Sequence, residues 1–274
     1  MSQNSNVVSI TVAILCRDNL DELVKTLDSV CTQPLSIKWP SIEILIVDGS
    51  KSHEILNYID NFDINRQRMD IRYLNSKNLG IFGIYPSMNF ALDMARGQYI
   101  HFLNSGDTLL DPLFYNYVFQ YSQDQLYPSC FFGQAIVHGK YFRWIFPDID
   151  LRSINLWLKY FEPNHQAMLV LTEWSRVNNR FPLDAPIGAD AVWKRMATRK
   201  NTVYYSSPVI NFYLGGQSSS YNFKGFKTRF QERWRNPFQK FLEILKFLLF
   251  RSAFVSELLQ LTKNKMTSIL FKFL

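Results

Sequence analysis

Four aspartates stand where this chain could do chemistry. Asp107 lies in "YIHFLNSGDTLLDP", Tyr99 to Pro112, where a strand-forming run stops at Asn104-Ser105-Gly106 and the chain turns. Asp18 follows the apolar run "SITVAIL", Asp48 ends "IEILIVD", and Asp190 opens "GADAVWKRMAT". A carboxylate at a strand end is either an ordinary polar turn, since aspartate is a common turn former, or a station for a charged ligand. Asp190 falls in the first turn of a helix, where a carboxylate suits the helix dipole.

The elements that must position these residues are legible as periodicity. After "SITVAIL" comes "DNLDELVKTLDSVCTQ", with Leu20, Leu23, Leu27 and Val30 at amphipathic helical spacing. "IEILIVDGS" and "HEILNYIDNF" repeat the strand and helix, "IRYLN" is a third strand, and "YPSMNFALDMARG" is a helix that Gly97 is expected to stop. "QYIHFLN" is the fourth strand. Unbroken apolar strands alternating with amphipathic helices predict βαβ units and a mostly parallel sheet sandwiched by helices. Ligands in such sheets bind beyond the carboxyl ends of the strands, so Asp18, Asp48 and Asp107 are expected along one edge. Beyond Pro112 the pattern is irregular: "CFFGQAIVHGKYFRWIF" reads as a hairpin, "EPNHQAMLVL" and "TVYYSSPVINFYLGG" as strands, and "PIGADAVWKRMAT" as a helix.

Composition narrows the class. A chain of 274 residues, 47% hydrophobic and 19% charged, buries a substantial core without staples. Its three cysteines, Cys16, Cys31 and Cys130, have neither zinc-site spacing nor a disulfide pattern, which suits a reducing cytosol. No basic segment precedes the short N-terminal apolar run, so a signal peptide is not expected. No stretch approaches the roughly 20 apolar residues of a spanning helix. The net charge of +7 is unevenly placed: residues 222–274 carry eleven Lys and Arg against three Glu, leaving residues 1–221 near −1.

Six segments, in order, resemble the GT-A glycosyltransferases of family 2, inverting enzymes that build bacterial surface polysaccharides, and among them the colanic-acid and capsule type. They are "ITVAILCRDNLDELVKTLDSV", "IEILIVDGSKS", "GIYPSMNFALDMARGQYIHFLNSGDTL", "PNHQAML", "GADAVWKRMA" and "FYLGGQSS". The resemblance implies a GT-A, Rossmann-like α/β domain over residues 1–221 and a nucleotide-sugar donor, UDP- or dTDP-linked. It places Asp18, Asp48 and Asn89 at the nucleotide, with Asn104 and Ser105 beside it. It makes Asp107 the holder of a divalent cation, Mg²⁺ or Mn²⁺, on the donor diphosphate. Asp190 is implied as the general base, and His165-Gln166 as the acceptor or pyrophosphate side. The chain departs from the family pattern at Pro86-Ser87, at Arg17-Asp18, and in "NSGD", where Asn104 and Gly106 leave a single carboxylate.

Residues 222–274 form a basic helical extension. "RWRNPFQKFLEILKFLLFRSAFVSELLQL" begins with Asn236-Pro237 as a helix start and is too charged to span a bilayer. It suits docking on an anionic inner leaflet, or packing against the catalytic domain or a second subunit as a homodimer. No nucleic-acid motif accompanies the charge. The expectation is a cytoplasmic enzyme, peripheral on the inner face of the plasma membrane, that extends a saccharide or lipid-linked acceptor. The competing class is a non-catalytic relative serving as a membrane-bound scaffold. Nucleotidyl transfer is disfavoured because "AILCRDN" is not a Gly-rich phosphate loop.

Overall fold

Strand β1 (Val8–Cys16) is flanked by β2 (Ser41–Asp48) and β4 (Tyr99–Phe102), and β3 (Met69–Asn75) extends the sheet beyond β2, all four parallel. The computed structural model describes residues 8–32, 41–62, 69–124, 127–184, 188–199, 201–215 and 253–272. Between these strands run α1 (Leu20–Cys31), α2 (Glu54–Asp60) and α3 (Ile84–Met94). Then follow β5 (Thr108–Leu109), α4 (Leu113–Asp124), β6 (Cys130–His138), β7 (Arg143–Phe146), α5 (Ile154–Trp157), β8 (Met168–Leu171), α6 (Thr172–Asn178), α7 (Ala189–Thr198) and β9 (Thr202–Tyr213). The sheet order is β3-β2-β1-β4-β8-β6-β9-β5, with β7 paired to β6. Past β4 the sheet is mixed: β8 runs antiparallel to β4, and β6 pairs antiparallel with β8 and parallel with β9.

Alternate residues of the central strands feed two separate cores, as the period of two requires. Val12, Ile14, Ile44 and Ile46 pack with Leu23, Leu27 and Val30 of α1 and with Phe114 and Val118 of α4. Ala13, Leu45 and Val47 face the other way, against Met88 and Leu92 of α3 and Trp193 and Ala197 of α7. Both faces are covered, which is why β1 and β2 read as unbroken apolar runs. The register aligns Cys16 with Asp48 and Asp48 with Asn75, so the strands end at one level.

Two local readings of the sequence are corrected. Gly97 does not stop α3, which ends at Met94 with Ala95 in an extended conformation. Its role is close approach: a Cβ there would collide with the Thr11 amide, 2.6 Å from the Ile10 carbonyl carbon. The turn is held there because Gly97 N–H donates to Thr11 Oγ1 at 2.8 Å and Arg96 N–H to the buried Glu43 at 2.9 Å. "EPNHQAMLVL" is a strand only from Met168, because Asn164 accepts from the Gln166 amide at 2.9 Å and winds His165–Ala167 into a 3₁₀ turn.

A C-terminal helix, α8 (Ala253–Lys272), packs on the β6–β7 hairpin and the segment after it, through polar contacts and through Phe271, which is buried in the core. The Glu257 carboxylate accepts from the backbone N–H groups of Lys140, Tyr141 and Phe142, at 2.7 to 3.0 Å, in the β6–β7 turn. Asn264 donates to the Ile145 carbonyl and Ser268 bonds to Asp148. The helix start expected at Asn236-Pro237 and the domain boundary at 221/222 lie outside the described residues. No helix among the described residues is long and apolar enough to cross a membrane.

Two measurements check this packing. Gly97→Ala costs about 3 kcal/mol of stability in urea unfolding, because the backbone of β1 must move to admit the methyl group. His101 is buried between the Tyr115 hydroxyl and the Gln166 carbonyl, both at 2.6 Å, and burial pushes its pKa from 6.5 down to about 4. The unfolded chain therefore takes up this proton first, so the contribution of His101 to stability is lost as the pH drops from about 6.5 towards about 4. His101→Gln removes that part of the pH dependence of thermal stability.

Candidate active site

The loops after β1, β2 and β4 meet at one edge and are tied by hydrogen bonds. Asp18 takes a left-handed conformation, φ 51°, and its N–H donates to Ser50 Oγ at 2.7 Å, bridging the first two loops. Asn19 Nδ2 donates to Ser105 Oγ at 2.9 Å, joining the first loop to the turn after β4. The three carboxylates of this edge meet different surroundings. The Asp18 side chain is exposed, 3.6 Å from Arg17. Asp48 is fully buried, accepting from the Ser50 N–H at 2.8 Å and the Tyr73 hydroxyl at 2.7 Å. Asp107 is 5% exposed.

The Asn104–Asp107 turn is held from three directions. Gly106, at φ 100°, donates its N–H to Thr26 Oγ1 at 2.9 Å, and Thr26 Oγ1 donates to the Asp107 carbonyl at 2.8 Å. Only glycine enters that backbone region without strain. The Tyr213 N–H donates to Asp107 Oδ1 at 2.8 Å, so the end of β9 fixes the carboxylate. The buried Gln166 side chain lies beside Asp107 and accepts from the Asn104 N–H at 2.8 Å. Burial pushes the Asp107 carboxyl up to about 7, with Tyr213 and Gln166 pulling down and the nearby Glu22 adding to the rise. Asn104 Oδ1 is buried with no hydrogen-bond partner. An under-compensated acid and an orphaned amide oxygen in one turn are the donor set that a hard cation satisfies. Among the described residues no group of three or more His, Cys, Asp or Glu could hold a metal. A cation here would take its other ligands from phosphate and water.

Asp190 lies elsewhere, in the first turn of α7 after Gly188, which has φ 89°. Its Oδ1 accepts from the Tyr85 hydroxyl at 3.2 Å, and its Oδ2 lies 3.3 Å from Lys194 Nζ and 3.8 Å from His165 Nδ1. Burial works against its charge, but Lys194, His165 and the Tyr85 bond outweigh it, and the carboxyl is held below 3.8. It is ionised at neutral pH, and its side chain is 25% exposed. His165 is pushed down to about 4 by burial and is neutral there. It adjoins Gln166 in the chain, so the turn after β4 and the Asp190 cluster are neighbours. Asn89 does not present its amide to a ligand: its Oδ1 accepts from the Phe181 N–H and its Nδ2 donates to the Phe181 carbonyl, both at 2.9 Å. It fixes the segment that leads to Asp190.

Sequence reasoning passed over three contributors. Lys194 follows Asp190 at i+4, a spacing that pairs charges on a helix and could have been read. Tyr85, whose hydroxyl also accepts from the Gly188 N–H at 3.1 Å, and Tyr213, acting through its backbone, left no signal.

The profile of glycosyl transferase family 2 matches residues 11–168, more than half of the chain. No curated protein matches the sequence. Among solved structures, the chain is similar to S. aureus TarS 1–349 in complex with UDP, with a TM-score of 0.58 and 13% identity over 89% of this chain and 70% of that one. For the UDP-GlcNAc complex of TarS the TM-score is 0.58 and the identity 12%, over 89% and 71%. The mannosyltransferase PcManGT from Pyrobaculum calidifontis, in complex with GDP-Man and Mn²⁺, gives a TM-score of 0.52 and 13% identity over 81% and 60%. At these identities the likeness is one of fold, and the fold is GT-A. Parallel strands ending in bonded polar loops, with an ionised aspartate beside them, accord with the family match: the chain belongs to glycosyl transferase family 2 and is a glycosyltransferase.

Proposed function

We propose that the protein transfers a hexose-type unit, with inversion, from a UDP- or dTDP-sugar to a hydroxyl of a saccharide or lipid-linked saccharide in surface-polysaccharide assembly. The observation that carries this reading is the Asp190 carboxylate, ionised, partly exposed and lining a cavity of about 350 Å³. In an inverting transfer the acceptor oxygen attacks the anomeric carbon while the bond from that carbon to the diphosphate breaks, and the hydroxyl proton passes to a base on the attacking side. Asp190 takes that proton. Tyr85 and Lys194 hold the carboxylate in one orientation, and a neutral His165 beside it adds no competing charge.

The nucleotide is read into the edge formed by Asp18, Asp48, Asn104 and Ser105, with Asp18 as its exposed carboxylate. The reading draws support from the TarS complexes with UDP and UDP-GlcNAc and the PcManGT complex with GDP-Man and Mn²⁺. Asn104 and Asp107 would hold a divalent cation, which would supply positive charge to the departing diphosphate. Attachment to an anionic inner leaflet draws support from the +8 of residues 222–274 and from the outer side of α8, where Leu258, Met266 and Ile269 are exposed beside Lys265.

Calorimetry and turnover test this reading. UDP binds the protein, and EDTA weakens that binding; a protein that binds no nucleotide is not the proposed enzyme. Asp190→Asn lowers turnover roughly 10³-fold while UDP affinity is retained. Undiminished turnover in that variant would remove Asp190 from the role of base.

A further inference from the structure

The cavity that Asp190 lines is closed by the C-terminal helix. Trp144, Phe146, Trp157, Phe161 and Phe212 give it an aromatic lining, and α8 contributes Gln260, Lys263, Asn264 and Thr267. Two of the α8 side chains are already committed, Asn264 to the Ile145 carbonyl and Thr267 to the Lys263 carbonyl. Gln260 makes one long contact, 3.4 Å to Ser256, and Lys263 stands over the Phe161 ring at 5.7 Å. Their polar groups are therefore largely unspent. The helix is a fixed wall, because Glu257, 4% exposed, pins it to three backbone N–H groups. Its volume of about 350 Å³ lies within the range of small-ligand sites. Aromatic faces match the C–H face of a sugar ring, and a few converging polar groups match its hydroxyls.

A second cleft, of about 750 Å³, shares Phe161 and Glu162 with this cavity and is lined by Lys159, Arg195 and Arg199. Arg195 is paired with Glu162 at 2.6 Å. Lys159 and Arg199 have no carboxylate partner among the described residues, Arg199 reaching only the Met196 sulfur at 3.6 Å. Two uncommitted cations one ring away from a sugar-sized cavity suit an anion, and the planar guanidinium suits phosphate or carboxylate in particular.

We propose that α8 completes the acceptor site: the aromatic cavity beside Asp190 takes a pyranose of the acceptor, and the Lys159–Arg199 cleft takes a phosphate or carboxylate borne by the same molecule. Gln260 and Lys263 are then specificity-determining residues that lie outside the segment matched to the family. This inference rests on the transferase reading of Asp190, and it narrows the substrate to anionic saccharides.

Saturation-transfer NMR on the full chain, with UDP present to occupy the nucleotide edge, tests it with methyl β-glucopyranoside and glucose 1-phosphate as probes. Both probes show transfer from the wild type, the phosphate-bearing one several-fold more strongly. Lys159→Glu combined with Arg199→Glu removes that advantage and spares the neutral probe. Gln260→Leu combined with Lys263→Ala weakens both probes several-fold, with α8 still anchored by Glu257. Equal binding to the wild type and the α8 variant overturns the proposed wall, and equal binding of the two probes to the wild type overturns the anionic half. A wild type that UDP does not stabilise against heat instead overturns the transferase reading itself.

Discussion

Much of the site hangs on the side chain of Gln166. Its carbonyl oxygen accepts from the Asn104 N–H, and the same amide lies beside the Asp107 carboxylate and favours its charged form. Its backbone carbonyl accepts from His101 and its N–H donates to Asn164. A primary amide is the side chain that can meet an N–H and a carboxylate from one end group; a carboxylate would repel Asp107, and an ammonium could not accept from Asn104. Because a carbonyl only accepts, the contact also makes His101 carry its proton on Nε2 and accept a hydrogen bond from the Tyr115 hydroxyl on Nδ1. The imidazole thus stays neutral and fully bonded within the core. Through Gln166 the end of β4 is locked to the turn that carries His165, and His165 borders Asp190.

The two aspartates expected to act show how environment divides one residue type into two roles. Asp190 is partly buried, but a lysine, a tyrosine hydroxyl and a histidine face it, and its pKa is held down. Asp107 has backbone and amide donors and no cation facing it among the described residues, and burial dominates. The first is an ionised carboxylate at neutral pH. The second is an acid whose charge costs free energy until a positive group arrives. Environments that push like groups apart are the mark of a site with divided labour.

The C-terminal helix completes the architecture in an unexpected way. It docks through Glu257, Asn264 and Ser268, with Ser153 bonding to the Phe271 carbonyl, and it leaves several apolar side chains outward. A buried carboxylate is tolerable here because three backbone donors meet it, in a turn whose glycine, Gly139, leaves room for it. The cavity beside Asp190 thereby gains side chains from far along the chain.

Alternation and helical spacing are local properties, so the sequence alone determined the βαβ series, the polar strand ends and the helix that carries Asp190 in its first turn. The parallel half of the sheet, the hairpin of β6 and β7, and the edge where Asp18, Asp48 and Asp107 end their strands follow from that patterning. Partnerships across the chain were not legible, because hydrogen bonds between residues dozens to a hundred positions apart leave no period. Only the tertiary structure decided that Asn89 serves Phe181, that Gly97 admits the backbone of β1, and that Tyr85 orients Asp190. It likewise decided that Glu257 turns inward. An amphipathic pattern reports which residues avoid water on average, whereas a buried polar group is permitted only by the donors that tertiary packing brings to it.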